Sequence, residues 1–188
     1  NKNKELKTIN GNVIKVEKEA HAKILLKEML NKEKLKDSNS LISLTFFTCS
    51  LNSNEKEQII NKIIELLKFD MILYRCFKEK DLLELMNKEL NPFVEKFEKC
   101  FNMQLQKYNS LIEFSDTNYA RFKKYLNDTN KFLLTVLYKL AGLTKSVILS
   151  YFFVNKKINH NSLYKLSNLE YTYQQKIWGV VEEHKDLE

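Results

Sequence analysis

Three groups of side chains have the type and spacing to do chemistry. Glu170, Gln174, Trp178 and Glu182 recur every four residues, which lines up an acid, an amide, an indole and an acid along one helix face. Such a row suits hydrogen bonding and charge recognition of a partner. Asp70, Tyr74 and Arg75 flank the apolar run Met71-Ile72-Leu73. On a helix Asp70 and Tyr74 fall one turn apart, and an acid, a phenol and a guanidinium in an apolar setting serve a buried hydrogen-bond network. The third group is the histidines and cysteines. His21, His160 and His184 lie in different segments without ligand spacing, so no metal site is expected. Cys49, Cys76 and Cys100 are odd in number and form no Cys-x-x-Cys pair, which points to buried, inert thiols in a reducing compartment. No P-loop, dinucleotide fingerprint, His-Glu-x-x-His motif or nucleophile elbow occurs, so neither an enzyme nor a cofactor is expected.

The acid–amide–indole row needs a helix to carry it. Leu166, Leu169, Tyr173, Ile177 and Val180 recur at steps of three and four beside it, the stripe of one amphipathic terminal helix. Asn159 is its candidate N-cap. Gly179 lies inside the pattern at a cost of about 1 kcal/mol against Ala, which calls for a compensating reason such as close backbone approach. Upstream, residues 132–140 and 143–154 are the most hydrophobic helices, with Gly142 at their junction. Lys139 and Lys145 interrupt that stretch, so a buried helix pair is expected and not a membrane span.

Asn54, with Glu57 three residues on, reads as the start of the helix leading to Asp70. Residues 81–90 form a short helix, and Asn91-Pro92 starts another, with Phe93, Phe97, Cys100 and Phe101 as its stripe. Residues 102–117 read as irregular, with a short extended piece at 111–114. Residues 118–126 are helical, and Tyr119, Phe122 and Tyr125 on one side are read as core. Nearer the start, Asn10-Gly11 between short β-prone runs predicts a two-residue hairpin over residues 7–16. A lone hairpin is marginal in water, so further strands beyond Asn1, or packing on helices, are expected. Residues 19–31, with Ala20, Ile24, Leu25 and Met29 at helical steps, predict a helix over that hairpin. Residues 32–39 read as a polar linker, and residues 40–51 fit strand or helix equally.

The chain has 188 residues, 44% of them hydrophobic and 12% aromatic, enough for a packed core. Only 3 Gly and 1 Pro are present, which favours long helices over a β-sandwich or barrel. The expected fold is therefore mainly α: a small N-terminal α/β part, hairpin plus helix, over residues 1–50, and a helical domain over 51–188. The net charge of +7 is unevenly placed. Residues 1–36 hold ten Lys against five Glu, and residues 170–188 two Lys against five acids. A basic front and an acidic end suit a protein-binding surface better than a uniform nucleic-acid face. The alternative is a basic organellar RNA-associated helical protein, carried by a pI near 9.1 and many aromatics.

Leu169-Glu170, Gln174, Trp178-Gly179, Val181-Glu182, His184 and Asp186 together resemble the C-terminal signature of the mitochondrial ATP synthase F1 assembly chaperones of the assembly factor 2 type. Weaker likenesses run through Lys7-Thr8 with Gly11, Leu66-Leu67 followed by Asp70, Tyr74 and Arg75, Asn91-Pro92-Phe93, and Leu143-Thr144-Lys145-Ser146. Ile9 stands where the family has Pro, Leu90 and Met29 where it has Trp, and Leu30 where it has Asp, the marks of a divergent member. The resemblance implies a matrix chaperone, its targeting peptide outside this sequence, that works without ATP or cofactor. It implies binding of the free α subunit of the catalytic head, masking the surface destined for the β subunit; a monomer is expected. Glu170, Gln174, Trp178, Glu182, His184 and Asp186 are the client-binding candidates. Asp70, Tyr74, Arg75 and Gly179 are the structural ones. Two roles stay open for the terminal motif: contact with the client, or holding its helix on the core.

Overall fold

The computed structural model describes residues 5–109 and 117–179. Ten α-helices follow one another among them: α1 (Glu19–Met29), α2 (Lys32–Lys36), α3 (Leu41–Ser50), α4 (Ser53–Lys68), α5 (Lys80–Phe101), α6 (Ala120–Asp128), α7 (Lys131–Thr144), α8 (Val147–Val154), α9 (His160–Ser167) and α10 (Leu169–Trp178). A 3-10 turn, Met71–Leu73, joins α4 to the segment before α5. No helix among the described residues is long and apolar enough to cross a membrane.

The core is built by α4, α5, α6, α7 and α8. Ile60, Ile63 and Leu67 of α4 meet Leu134, Leu137 and Ala141 of α7, all fully buried. Phe97 and Phe101 of α5, Phe122 and Tyr125 of α6 and Tyr151 of α8 form one aromatic cluster with centroids about 5 Å apart. Such edge-on contacts add roughly 0.5–1.5 kcal/mol each beyond area burial. These rings are core, as their spacing predicted, and are taken from any base-stacking surface. The main cluster draws no fully buried residue from before Leu51.

Several boundaries differ from expectation. Residues 80–101 are one helix, not two. Leu82, Met86, Leu90, Val94, Phe97 and Phe101 make an unbroken buried stripe, and that burial outweighs the roughly 3 kcal/mol an interior Pro92 costs. The start of α4 is two residues earlier than predicted: Asn52 Oδ1 accepts from Glu55 N at 2.9 Å and Glu55 Oε2 accepts from Asn52 N at 2.8 Å. Asn52–Glu55 and Asn54–Glu57 have the same spacing, and the first pair makes the capping box. The apolar break between α7 and α8 falls at Lys145, in left-handed conformation at φ 54°, and not at Gly142, which lies inside α7 with nothing near its Cβ position.

The N-terminal part departs further. The expected strands reduce to a single antiparallel bridge, Lys7 with Val13. Thr8 N donates to Asn12 O and Gly11 N to Thr8 O, so the loop is Ile9-Asn10-Gly11, three residues with Gly11 at φ 81°. That is a turn followed by a left-handed glycine, not a two-residue turn. Helix α1 packs on α3. It does so through His21, Leu25 and Glu28, while Ile24 stays 52% exposed, so the predicted stripe is rotated. Residues 32–36 form the helix α2 within the supposed linker, and the ambiguous segment is α3. The thiols are not buried: Cys49 and Cys76 are half-exposed and Cys100 exposed. The extended piece at 111–114 lies outside the described residues.

Candidate functional site

The terminal segment is two helices. Asn168 ends α9, its Nδ2 donating to Tyr164 O at 2.9 Å, and α10 begins at the next residue. Asn159 therefore caps α9, its Oδ1 accepting from Ser162 N at 2.8 Å. Leu169 and Tyr173 of α10 pack half-buried on the core, whereas Ile177 is 55% exposed. Gly179 is not interior. It closes α10 at φ 81° and ψ 169°, a conformation open in practice only to glycine. Its Cβ position faces nothing within 4 Å, so backbone conformation and not close approach calls for it.

Of the acid–amide–indole row, Glu170, Gln174 and Trp178 share one face of α10. Gln174 Nε2 donates to Glu170 Oε1 at 3.2 Å, fixing the amide against the acid. Trp178 is 77% exposed, so it does not lock the helix to the described core. Glu182, His184 and Asp186 lie outside the described residues.

Helix α10 rests against the start of α5, which brings in acids the sequence reading missed. Burial, and then the charge of Glu79, raise the pKa of Glu170. Burial, then Asp81 and Glu79, raise that of Tyr173. Glu79 thus lies near Glu170, and Glu79 and Asp81 near Tyr173, while Ile177 and Trp178 stand exposed toward the other end of α10. The available signal was a pair of acids at a helix start, where they oppose the positive end of the dipole. A carboxylate held above its ordinary range by burial and a neighbouring acid would be relieved by a cationic group.

The Asp70 turn is a separate, buried network that touches α5 and α8. Asp70 is fully buried. Its Oδ1 accepts from Ile72 N at 3.1 Å and its Oδ2 from Ile148 N at 2.9 Å, so it caps both the 3-10 turn and the first turn of α8. Burial pushes its pKa up to about 6 despite these bonds. Arg75 is the largest fully buried side chain. It donates to Ile72 O, Tyr74 O, Asn87 Oδ1 and Asn91 Oδ1, and no carboxylate pairs with it among the described residues. Asp70 and Arg75 are therefore parts of one turn, each with its own partners. Tyr74 is not a helical turn from Asp70; its backbone is extended and bridges to Tyr108. Burial, then Cys76 and Glu170, raise the Tyr74 pKa, which sets its ring beside the α10 row. No group of three or more His, Cys, Asp or Glu among the described residues could hold a metal.

A family model described as ATP12 chaperone protein matches residues 2–98. The chain is similar to the mitochondrial atp12 protein of Schizosaccharomyces pombe, 27% identical over 199 residues, covering 97% of this chain and 68% of that protein. Among solved structures, Atp12 from Paracoccus denitrificans superposes with a TM-score of 0.81 at 18% identity, covering 96% of this chain and 79% of that one. A putative chaperone from Agrobacterium tumefaciens gives a TM-score of 0.81 at 16% identity, covering 97% and 70%. At such identities the two structures establish a shared fold.

Proposed function

Since the chain belongs to the ATP12 chaperone family, we propose that it assists assembly of the mitochondrial ATP synthase by binding the free α subunit of the catalytic head. An α subunit without its neighbours exposes apolar interface that self-associates. Covering that surface until the β subunit replaces the chaperone needs reversible binding and neither ATP nor a reacting group. The matrix is the compartment where this client would be met.

The observation that carries the reading is the α10 face. Trp178 and Ile177 stand exposed on the same helix as Glu170, whose end of α10 lies near Glu79, so apolar and charged groups follow one another along it. Glu170 would accept from a basic or amide group of the client and Trp178 would anchor it, with Glu182, His184 and Asp186 extending the contact. Asp70, Tyr74, Arg75 and Gly179 would hold this face in place. Of the aromatics behind an RNA-binding reading, Phe97, Phe101 and Phe122 are packed inside.

The test is recovery from a mitochondrial matrix extract on the immobilised chain. Enrichment of the α subunit free of the β subunit is expected. Recovery of no α subunit above the bare matrix, or of α and β together in assembled ratio, would set the reading aside.

A further inference from the structure

A second face of the molecule has a different character. Helices α1, α3 and α7 enclose a cleft of about 330 Å³ walled by Leu41, Leu44, Phe132 and Leu133. The polar groups of its floor are paired with one another. Thr48 Oγ1 donates to Thr135 Oγ1 at 2.9 Å, and His21 Nε2 lies 2.9 Å from Thr45 Oγ1. A guest therefore meets apolar walls and a floor with no free hydrogen-bonding demand. Leu133 and Val136 pass from this cleft into a second hollow, walled by Phe153, Val154 and Ile158. Val136, 40% exposed, is the saddle between them.

The rim is basic. Lys18 stands at the first hollow with Glu17, and Lys156 and Lys157 at the second. All four are exposed, and the ion pairs among the described residues use Lys23 and Lys34 instead of these lysines. The α10 face, by contrast, carries Glu79, Asp81 and Glu170. An acidic segment is thus attracted to the lysines at the groove along α7.

We propose that this two-hollow groove docks a polypeptide segment of the client that carries apolar side chains flanked by acidic ones. The proposal rests on the chaperone reading for the source of the segment and on the groove alone for its chemistry. Apolar side chains enter the hollows on either side of Val136, and the flanking carboxylates meet Lys18, Lys156 and Lys157.

The test uses the full chain and two fluorescein-labelled synthetic peptides, one of Leu and Phe interspersed with Glu, the other with Lys in place of each Glu. Anisotropy should report binding of the acidic peptide, weakened about tenfold or more by Val136→Asp. The double variant Lys156→Glu/Lys157→Glu should weaken it and flatten its salt dependence. Should Val136→Asp fail to fold by circular dichroism, the lysine variant, altered at exposed positions, decides alone. Equal binding of both peptides, no binding of the acidic one, displacement by an RNA oligonucleotide, or a dimer in sedimentation that Val136→Asp dissolves would each overturn the proposal. If the acidic peptide fails while the α subunit is still captured, the groove is dismissed and the chaperone reading stands. If the peptide binds but the α subunit does not, the groove stands without that client.

Discussion

Asp70 and Arg75 carry the sharpest consequences at the scale of single residues. The native pKa of Asp70, about 6, lies above the 3.8 of an unperturbed aspartate because burial disfavours its charge. Between those values the folded chain holds a proton that the unfolded chain has released. Its contribution to stability is complete below pH 4 and is lost as pH rises through about 6. The urea midpoint of wild type, compared with Asp70→Asn, should therefore fall with a steeper slope from pH 4 to 6 and run parallel above it. Above pH 6, where the ionised Asp70 accepts from the amides of both Ile72 and Ile148, the Asn variant turns one of those acceptors into a donor and should lose that bond. Arg75→Ala leaves Asn87, Asn91 and two carbonyls without their donor and should cost about 3 kcal/mol or more in urea unfolding. Arg75→Lys should restore only part, because an ammonium cannot spread over the same fork of acceptors. That these residues form a buried network was legible from their types and apolar setting. Their separate partners were not, because Ile148 and Asn87 are brought in by tertiary packing.

At the scale of elements, the two glycines Gly142 and Gly179 test how helix ends are set. Gly142 lies inside α7 with open space at its Cβ position, so Gly142→Ala should stabilise by roughly 0.5–1 kcal/mol. Gly179 closes α10 at positive φ, so Gly179→Ala should cost about 1 kcal/mol or more locally and speed amide exchange in the last turn of α10. Opposite signs at two helix-associated glycines distinguish a conformational role from a packing one. Most helices were readable from apolar periodicity. The errors share a cause: a local signal was matched by another of equal strength, and tertiary contact chose between them. Pro92 looked like a helix start, yet the stripe from Leu82 to Phe101 and the grip of Arg75 on both Asn87 and Asn91 carry α5 through it. The stripe of α1 was misplaced because α3, whose own state the sequence left open, selects the face it meets.

At the scale of the whole molecule, the main core begins at Leu51, while α1 buries only Leu25 and α2 buries nothing. Native-state hydrogen exchange should therefore find residues 19–36 opening at lower free energy than α4, α5, α7 and α8, whose buried stripes interlock. Uniform protection across both parts would contradict this. The two proposed docking faces also differ in character, with an exposed indole on α10 and lysines at the rim of the groove along α7. That Glu170, Gln174 and Trp178 share one helix face was legible from their four-residue spacing. Glu79 and Asp81 were not, since only the docking of α10 on α5 brings them near. The central claim is that α10 presents a client-docking face. Its most direct measurement is the affinity of isolated α subunit for wild type, Glu170→Lys and Trp178→Ala, each checked for unchanged melting. Both substitutions should weaken capture by about tenfold or more while stability stays within about 0.5 kcal/mol. A Glu170→Lys protein that folds normally and holds the α subunit as tightly as wild type would contradict the account.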